Sequence, residues 1–196
     1  MTHYISFQFW NKMKYGITLL FSNVKISFHL HTEITINASP EQVWSVLMDT
    51  NKYIEWNPFI KSLQSINSSS LPIHLNDDIR LECYKSNPSN QSMTTKTTTT
   101  TQSFQAKITQ YNPNQMITWT GSLISPILFQ GKHSLELQTI VSSEHQVDST
   151  KFIHKERFYG LFVILAKKNL NTVTRSNFIA MNEALKQRVE QIKLHE

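Results

Sequence analysis

Cysteine is almost missing from this chain of 196 residues: Cys83 stands alone, which excludes an internal disulfide and fits a reducing, cytoplasmic compartment. Glycine is scarce too, at four residues, so loops that cradle phosphates or dinucleotides are poorly supplied. No apolar run approaches the ~20 residues of a membrane-spanning helix. Acids are missing from the start of the chain, where Lys12, Lys14 and Lys25 all precede the first acid, Glu33. The net charge of +5 therefore sits largely at that end, and the remainder is close to balanced. Lys167-Lys168 is the only adjacent basic pair, and no basic stripe interleaved with aromatics marks a nucleic-acid binder.

What is present is a globular composition, 39% hydrophobic and 17% charged, long enough for one domain. Eleven Phe and four Trp promise a bulky core or a lined pocket. Residues 1–31 read as an extension, either an extra strand or a poorly ordered segment. Their lack of acids resembles an organelle transit peptide, but they contain no arginine and no clear cleavage site.

From Thr32 the signals sharpen. "TEITIN" alternates as a strand does. Ser39, Pro40 and Gln42 form a capping box with proline at the first helical position, and Val43, Trp44, Val46 and Leu47 give the short helix an apolar face. Asp49 and Thr50 are expected to cap a second short helix through Tyr53, stopped before Pro58. Six strand-like runs follow, at 59–66, 78–84, 104–111, 116–121, 132–141 and 149–158. Asn112-Pro113-Asn114 is a turn signal between two of them. With the first strand this makes seven, and no helical crossover interrupts them, so the sheet is predicted to be an antiparallel meander. Residues 86–103, with five consecutive threonines, are expected to be a solvated loop. Cys83 shares an alternation with Ile79 and Leu81, which predicts a buried structural thiol. Phe178, Met181, Leu185, Val189 and Ile192 recur at helical spacing and predict one face of a long terminal helix, starting between Phe162 and Leu170.

Three stretches, "ASPEQVWSVLMDTNKYIEWNPFI", "GKHSLELQ" with "FIHKERFYGLF", and "TRSNFIAMNEALKQRVE", resemble the START-like or SRPBCC superfamily over residues 32–196. The resemblance implies an α+β helix-grip domain, in which a curved seven-stranded antiparallel sheet wraps a long C-terminal helix. Two short helices after strand 1 would close one end of a cavity between them. It implies binding of a small hydrophobic molecule: a lipid, sterol, isoprenoid or polyketide-like ring. Its alternatives are a polyketide cyclase or dehydratase, and a protein-interaction module like the chaperone activators of that superfamily. The iron-sulfur ligand pattern of its oxygenase subunits is absent, and no cofactor is expected.

Strand alternation groups His133 with Leu135 and Leu137, and Phe152 with His154, Glu156 and Phe158. The first face is apolar apart from its histidine and is expected inward; the family pattern turns the second, mixed face inward too, and Ile117, Trp119, Phe104, Ala106 and Ile108 are expected to join them. The expected cavity lining is Trp56, Trp119, Phe129, His133, Leu135, Phe152, His154, Glu156, Phe178 and Met181. His133, His154 and Glu156 would then be three polar groups in an apolar chamber, and buried polar groups need partners. They could bond one another or the terminal helix, orient a ligand's polar head group, or act as an acid–base pair. Two histidines and a glutamate are also a zinc ligand set, but the resembled family offers no precedent. No catalytic residue and no metal ligand is assigned.

Overall fold

The computed structural model describes residues 26–67, 72–85, 100–123, 125–141 and 149–193. Seven strands form one antiparallel sheet: β1 (Ser27–Ile36), β2 (Ile60–Ser65), β3 (Asp78–Tyr84), β4 (Thr101–Asn112), β5 (Met116–Ser122), β6 (Gln130–Ile140) and β7 (Ser149–Tyr159). Their spatial order is β1-β7-β6-β5-β4-β3-β2. β2 to β7 run as the expected meander, and β1 pairs with the last strand. The chain therefore has to cross from one edge of the sheet to the other after β1.

Helix α1 (Pro40–Met48) and helix α2 (Tyr53–Trp56) make that crossing, joined by a 3₁₀ turn at Thr50–Lys52. The capping box forms as the sequence predicts. Ser39 Oγ accepts from the Gln42 amide at 3.4 Å, and the Ser39 amide donates to Gln42 Oε1 at 3.1 Å. Asp49 does not cap the second helix. Its carboxylate pairs instead with Lys52 Nζ at 2.9 Å, and the helical path continues past Tyr53 to Trp56.

The C-terminal helical run comprises α3 (Val163–Asn169), a π-helical stretch at Leu170–Thr174, and α4 (Arg175–Lys193). It lies across the concave face of the sheet, with Phe178, Met181, Leu185 and Val189 fully buried there. Ile192, expected on the same face, is 40% exposed because the face has run past the core near the helix end. The π stretch has a local cause. Thr172 Oγ1 donates back to the Lys168 carbonyl at 3.0 Å, a bond that competes with the regular ladder, and the Arg175 amide reaches Leu170 O five residues back.

Two strand boundaries differ from the sequence reading by more than two residues. β1 begins at Ser27 rather than Thr32, because the alternation of Phe28, Leu30 and Thr32 extends inward-facing positions backwards, opposite Phe158, Glu156 and His154. Leu30 is 1% exposed, so a boundary at residue 31 would cut through packed structure. β4 begins at Thr101, inside the stretch expected to be loop; Thr101, Gln102 and Ser103 pair with Tyr84, Cys83 and Glu82. Residues 86–99 and 1–25 lie outside the described residues.

Candidate ligand cavity

Between the sheet and the helical run lies a cavity of about 750 Å³. β2 and β3 give it Ile60, Leu81 and Cys83; β4 and β5 give Phe104, Ala106, Trp119 and Gly121; β6 and β7 give Gly131, His133, Glu156 and Phe158. Phe59 and Phe129 stand just before their strands, and Leu170, Val173, Thr174 and Asn177 line the helical side. The size falls in the usual range for small-molecule pockets, and the wall is mainly carbon, with polar side chains added by Lys85, Gln102, Ser103, Gln105 and Ser122.

Of the ten residues expected to line it, Trp119, Phe129, His133 and Glu156 are on the wall. Trp56, Leu135, Phe152, His154, Phe178 and Met181 are not. Leu135, Phe152 and Met181 belong to the main buried core, together with Leu185 and Val189 of α4. Phe178 lies against the second small cluster with Leu30, Phe158 and Val163. Trp56 packs edge-on against Tyr53 at the lid. Alternation assigns a face of the sheet, but not where along that face the helix stops filling it. The residues not singled out, Leu81 and Cys83 among them, share their parity with Ile79 and could have been found by the same rule on β3.

His133 and Glu156 are brought together by register. His133 on β6 is directly opposite Glu156 on β7, while His154 is opposite Leu135. Glu156 Oε2 is 3.4 Å from His133 Nδ1. His133 Nε2 is 2.9 Å from His154 Nε2, and His154 Nδ1 is 3.0 Å from Asn182 Oδ1 on α4. Asn182 Nδ2 in turn donates to Thr32 Oγ1 at 3.0 Å. The three polar residues thus bond one another and the terminal helix. The row runs from the cavity wall to the β1 side of the sheet.

Direction follows from the far end. Asn182 Nδ2 donates to Thr32 and its Oδ1 faces His154, an arrangement in which His154 Nδ1 is the donor. With that ring neutral, its Nε2 is the acceptor and His133 Nε2 the donor. His133 Nδ1 is then an acceptor too, and the proton between it and Glu156 belongs to the carboxylic acid. Burial drives all three groups toward these neutral forms. It pushes the Glu156 carboxyl up to about 8 and the His133 imidazole down to about 3. Burial, then the neighbouring His133, holds His154 well below its ordinary value. Aromatic faces clamp the rings: Trp119 stacks on His133 at 4.3 Å and Phe178 on His154 at 3.7 Å between centroids.

Gly131 makes room for the acid. A Cβ there would stand 2.8 Å from Glu156 Oε1, so the carboxyl lies over a bare backbone on the cavity wall. Cys83, also on the wall, has its thiol pushed up to about 12 by burial, which makes it a poor nucleophile at neutral pH. Among the described residues, no cluster of three or more His, Cys, Asp or Glu has the arrangement of a metal site. No helix among them is long and apolar enough to cross a membrane.

Comparison with known proteins gives no match among curated sequences. Solved structures do match. The Zhui aromatase/cyclase of Streptomyces sp. R1128 is 15% identical, with a TM-score of 0.61 over 85% of this chain and 95% of that one. Norcoclaurine synthase of Thalictrum flavum is 12% identical, with a TM-score of 0.57 over 86% and 98%. A START superfamily protein of Mycobacterium smegmatis is 18% identical, with a TM-score of 0.55 over 84% and 98%. At such identities these likenesses speak for the helix-grip fold alone. The model of the family described as polyketide cyclase/dehydrase and lipid transport matches residues 27–190, nearly all the described structure, and the chain belongs to that family.

Proposed function

We propose that the chain binds one small, mainly apolar molecule in the cavity between sheet and helix, with a polar group of that molecule at the Glu156 carboxyl. The observation that carries this is the cavity itself: about 750 Å³, walled by Leu81, Phe104, Phe129, Phe158 and Trp119, with the Glu156 carboxyl on the same wall. A lipid, sterol, isoprenoid or polyketide-like ring fits that chemistry. A protein-interaction module would have no use for the void. Native mass spectrometry of the purified full chain, and titration with a fluorescent naphthalene probe, test the reading. One probe per chain is expected, lost when Ala106→Trp fills the cavity. Equal binding by wild type and Ala106→Trp would overturn it.

A second reading is favoured by the row of hydrogen bonds behind Glu156. A protonated carboxyl at the wall, able to exchange its proton with His133, is equipped for general acid–base work of the cyclase or dehydratase kind. Turnover of a polyketone that Glu156→Gln lowers ~10²–10⁴-fold while leaving binding intact would select the enzyme. No turnover by wild type leaves the carrier.

A further inference from the structure

The fold brings into contact two stretches of the chain that carry basic residues and no acid. From Met116 to Leu135 and from Arg157 to Asn182 there is no Asp or Glu, while Lys132, Arg157, Lys167, Lys168 and Arg175 lie within these two stretches. The stretches meet where the β5–β6 loop touches the start of the helical run. The Leu161 amide donates to Ile127 O at 3.2 Å and the Phe162 amide to Leu128 O at 3.0 Å. Gly160, at φ 110, allows this approach: a Cβ there would stand 2.5 Å from Leu128 O.

At this junction the large apolar side chains point outward. Ile127 is 56% exposed, Phe162 40%, Ile164 63% and Leu165 82%. Leu123, 49% exposed, joins them to the cavity, whose wall it also lines. Single exposed aliphatic residues are ordinary, but five on one loop–helix junction are not. Lys168 stands one helical turn from Ile164 and Leu165, on the same side of α3. Apolar side chains flanked by lysines, with no acid in either stretch, match the two layers of an anionic membrane surface.

We propose that this face docks the protein on an anionic lipid bilayer, with Ile164 and Leu165 entering the headgroup–acyl boundary and Lys167 and Lys168 against the lipid anions. The inference does not depend on which molecule the cavity takes. A second copy of the chain would oppose like charge to like. So would the chain's own residues 1–25, which carry Lys12, Lys14 and Lys25 and no acid. Nucleic acid would find aliphatic side chains where it needs polar and aromatic ones.

The test is co-sedimentation of the full chain with phosphatidylcholine vesicles, with and without phosphatidylserine. Binding is expected only with phosphatidylserine and should weaken with salt. Lys167→Gln with Lys168→Gln should weaken it about thirty-fold. Ile164→Asp with Leu165→Asp should abolish it, with the circular dichroism spectrum and denaturation midpoint unchanged, as both positions are exposed. Three results would overturn the proposal. The first is no binding to phosphatidylserine vesicles, including the case of a wild-type dimer that the Asp pair makes monomeric. The second is equal binding to neutral vesicles, undiminished in the Asp pair. The third is unchanged anionic binding in both double variants, which would put the contact elsewhere.

Discussion

Replacing Glu156 by Gln should change the shape of the stability–pH curve more than its height. The carboxyl is raised from 4.5 to about 8, so between these values the unfolded chain releases a proton that the folded chain holds. Stability from this group is full below pH 4.5 and is lost as pH rises through 8. His133 has the opposite sign. Lowered from 6.5 to about 3, it contributes stability present above pH 6.5 and lost as pH falls; His154, also lowered, adds to that limb. The acid and alkaline limbs should therefore meet near pH 6.5. At about 1.4 kcal/mol per pH unit, and with the slope fading near 8, Glu156 alone removes about 2 kcal/mol between pH 6.5 and 8.5. Gln keeps the size and an amide N–H able to donate to His133 Nδ1, but does not ionise. Urea titrations of both proteins at pH 5, 6.5 and 8.5 measure this. The alkaline loss should vanish in Glu156→Gln while the acid loss remains. Parallel curves for the two proteins would show that Glu156 is not held neutral by the fold, and the assigned direction of the hydrogen-bond row would fail with it.

Deleting residues 1–25 should leave a folded domain, whereas deleting 1–31 should cost several kcal/mol, since Leu30 and five β1–β7 pairs go with it; thermal melts of the two truncations separate the cases. Phe178→Asp should cost about 3–5 kcal/mol by burying an unpaired charge, and Glu183→Ala, on the exposed side of α4, no more than about 0.5 kcal/mol. Equal denaturant midpoints for these two would mean the helix face is misassigned. Ser39→Ala removes one half of the capping box and should cost about 1 kcal/mol in the same assay.

Much of the fold was legible because its signals are local. The capping box of α1, the Asn-Pro-Asn turn, where Asn114 adopts φ 61, and the apolar face of α4 each depend on a few neighbouring residues. The start of β1 was not, since its first turns of alternation carry His29 and His31 outward and look no different from the preceding polar–apolar mixture. Residues 101–103 were hidden by composition: threonine and serine serve a loop and a strand equally, and only the partner strand decides. At the site, parity found His133, His154 and Glu156, but not their chain of bonds. Asn182 and Thr32, which set its direction, are 150 residues apart and meet only when β1 docks beside α4.

Phe178 divides the helical run into a part that lines the cavity and a part that belongs to the main core. Beyond Phe178, α4 contributes Met181, Leu185 and Val189 to the main buried core. Before Phe178 the helical run lines the cavity with Asn177, Thr174, Val173 and Leu170, the last three within the π stretch. Phe178 stands at the change, its ring tilted against Phe59 at 5.8 Å and stacked on His154, so it closes the hollow end from the solid one. Glu156 lies on the hollow side of that partition and His154 on the solid side, with His133 bonded to both. A buried acid on a packed wall would be a liability with no return. Here Oε1 lies over Gly131 on the cavity wall, while the His133 ring, kept neutral by burial, holds Oε2. Packing and site are thus one construction, in which the residues that solidify the core also fix the protonation of the group left facing the void.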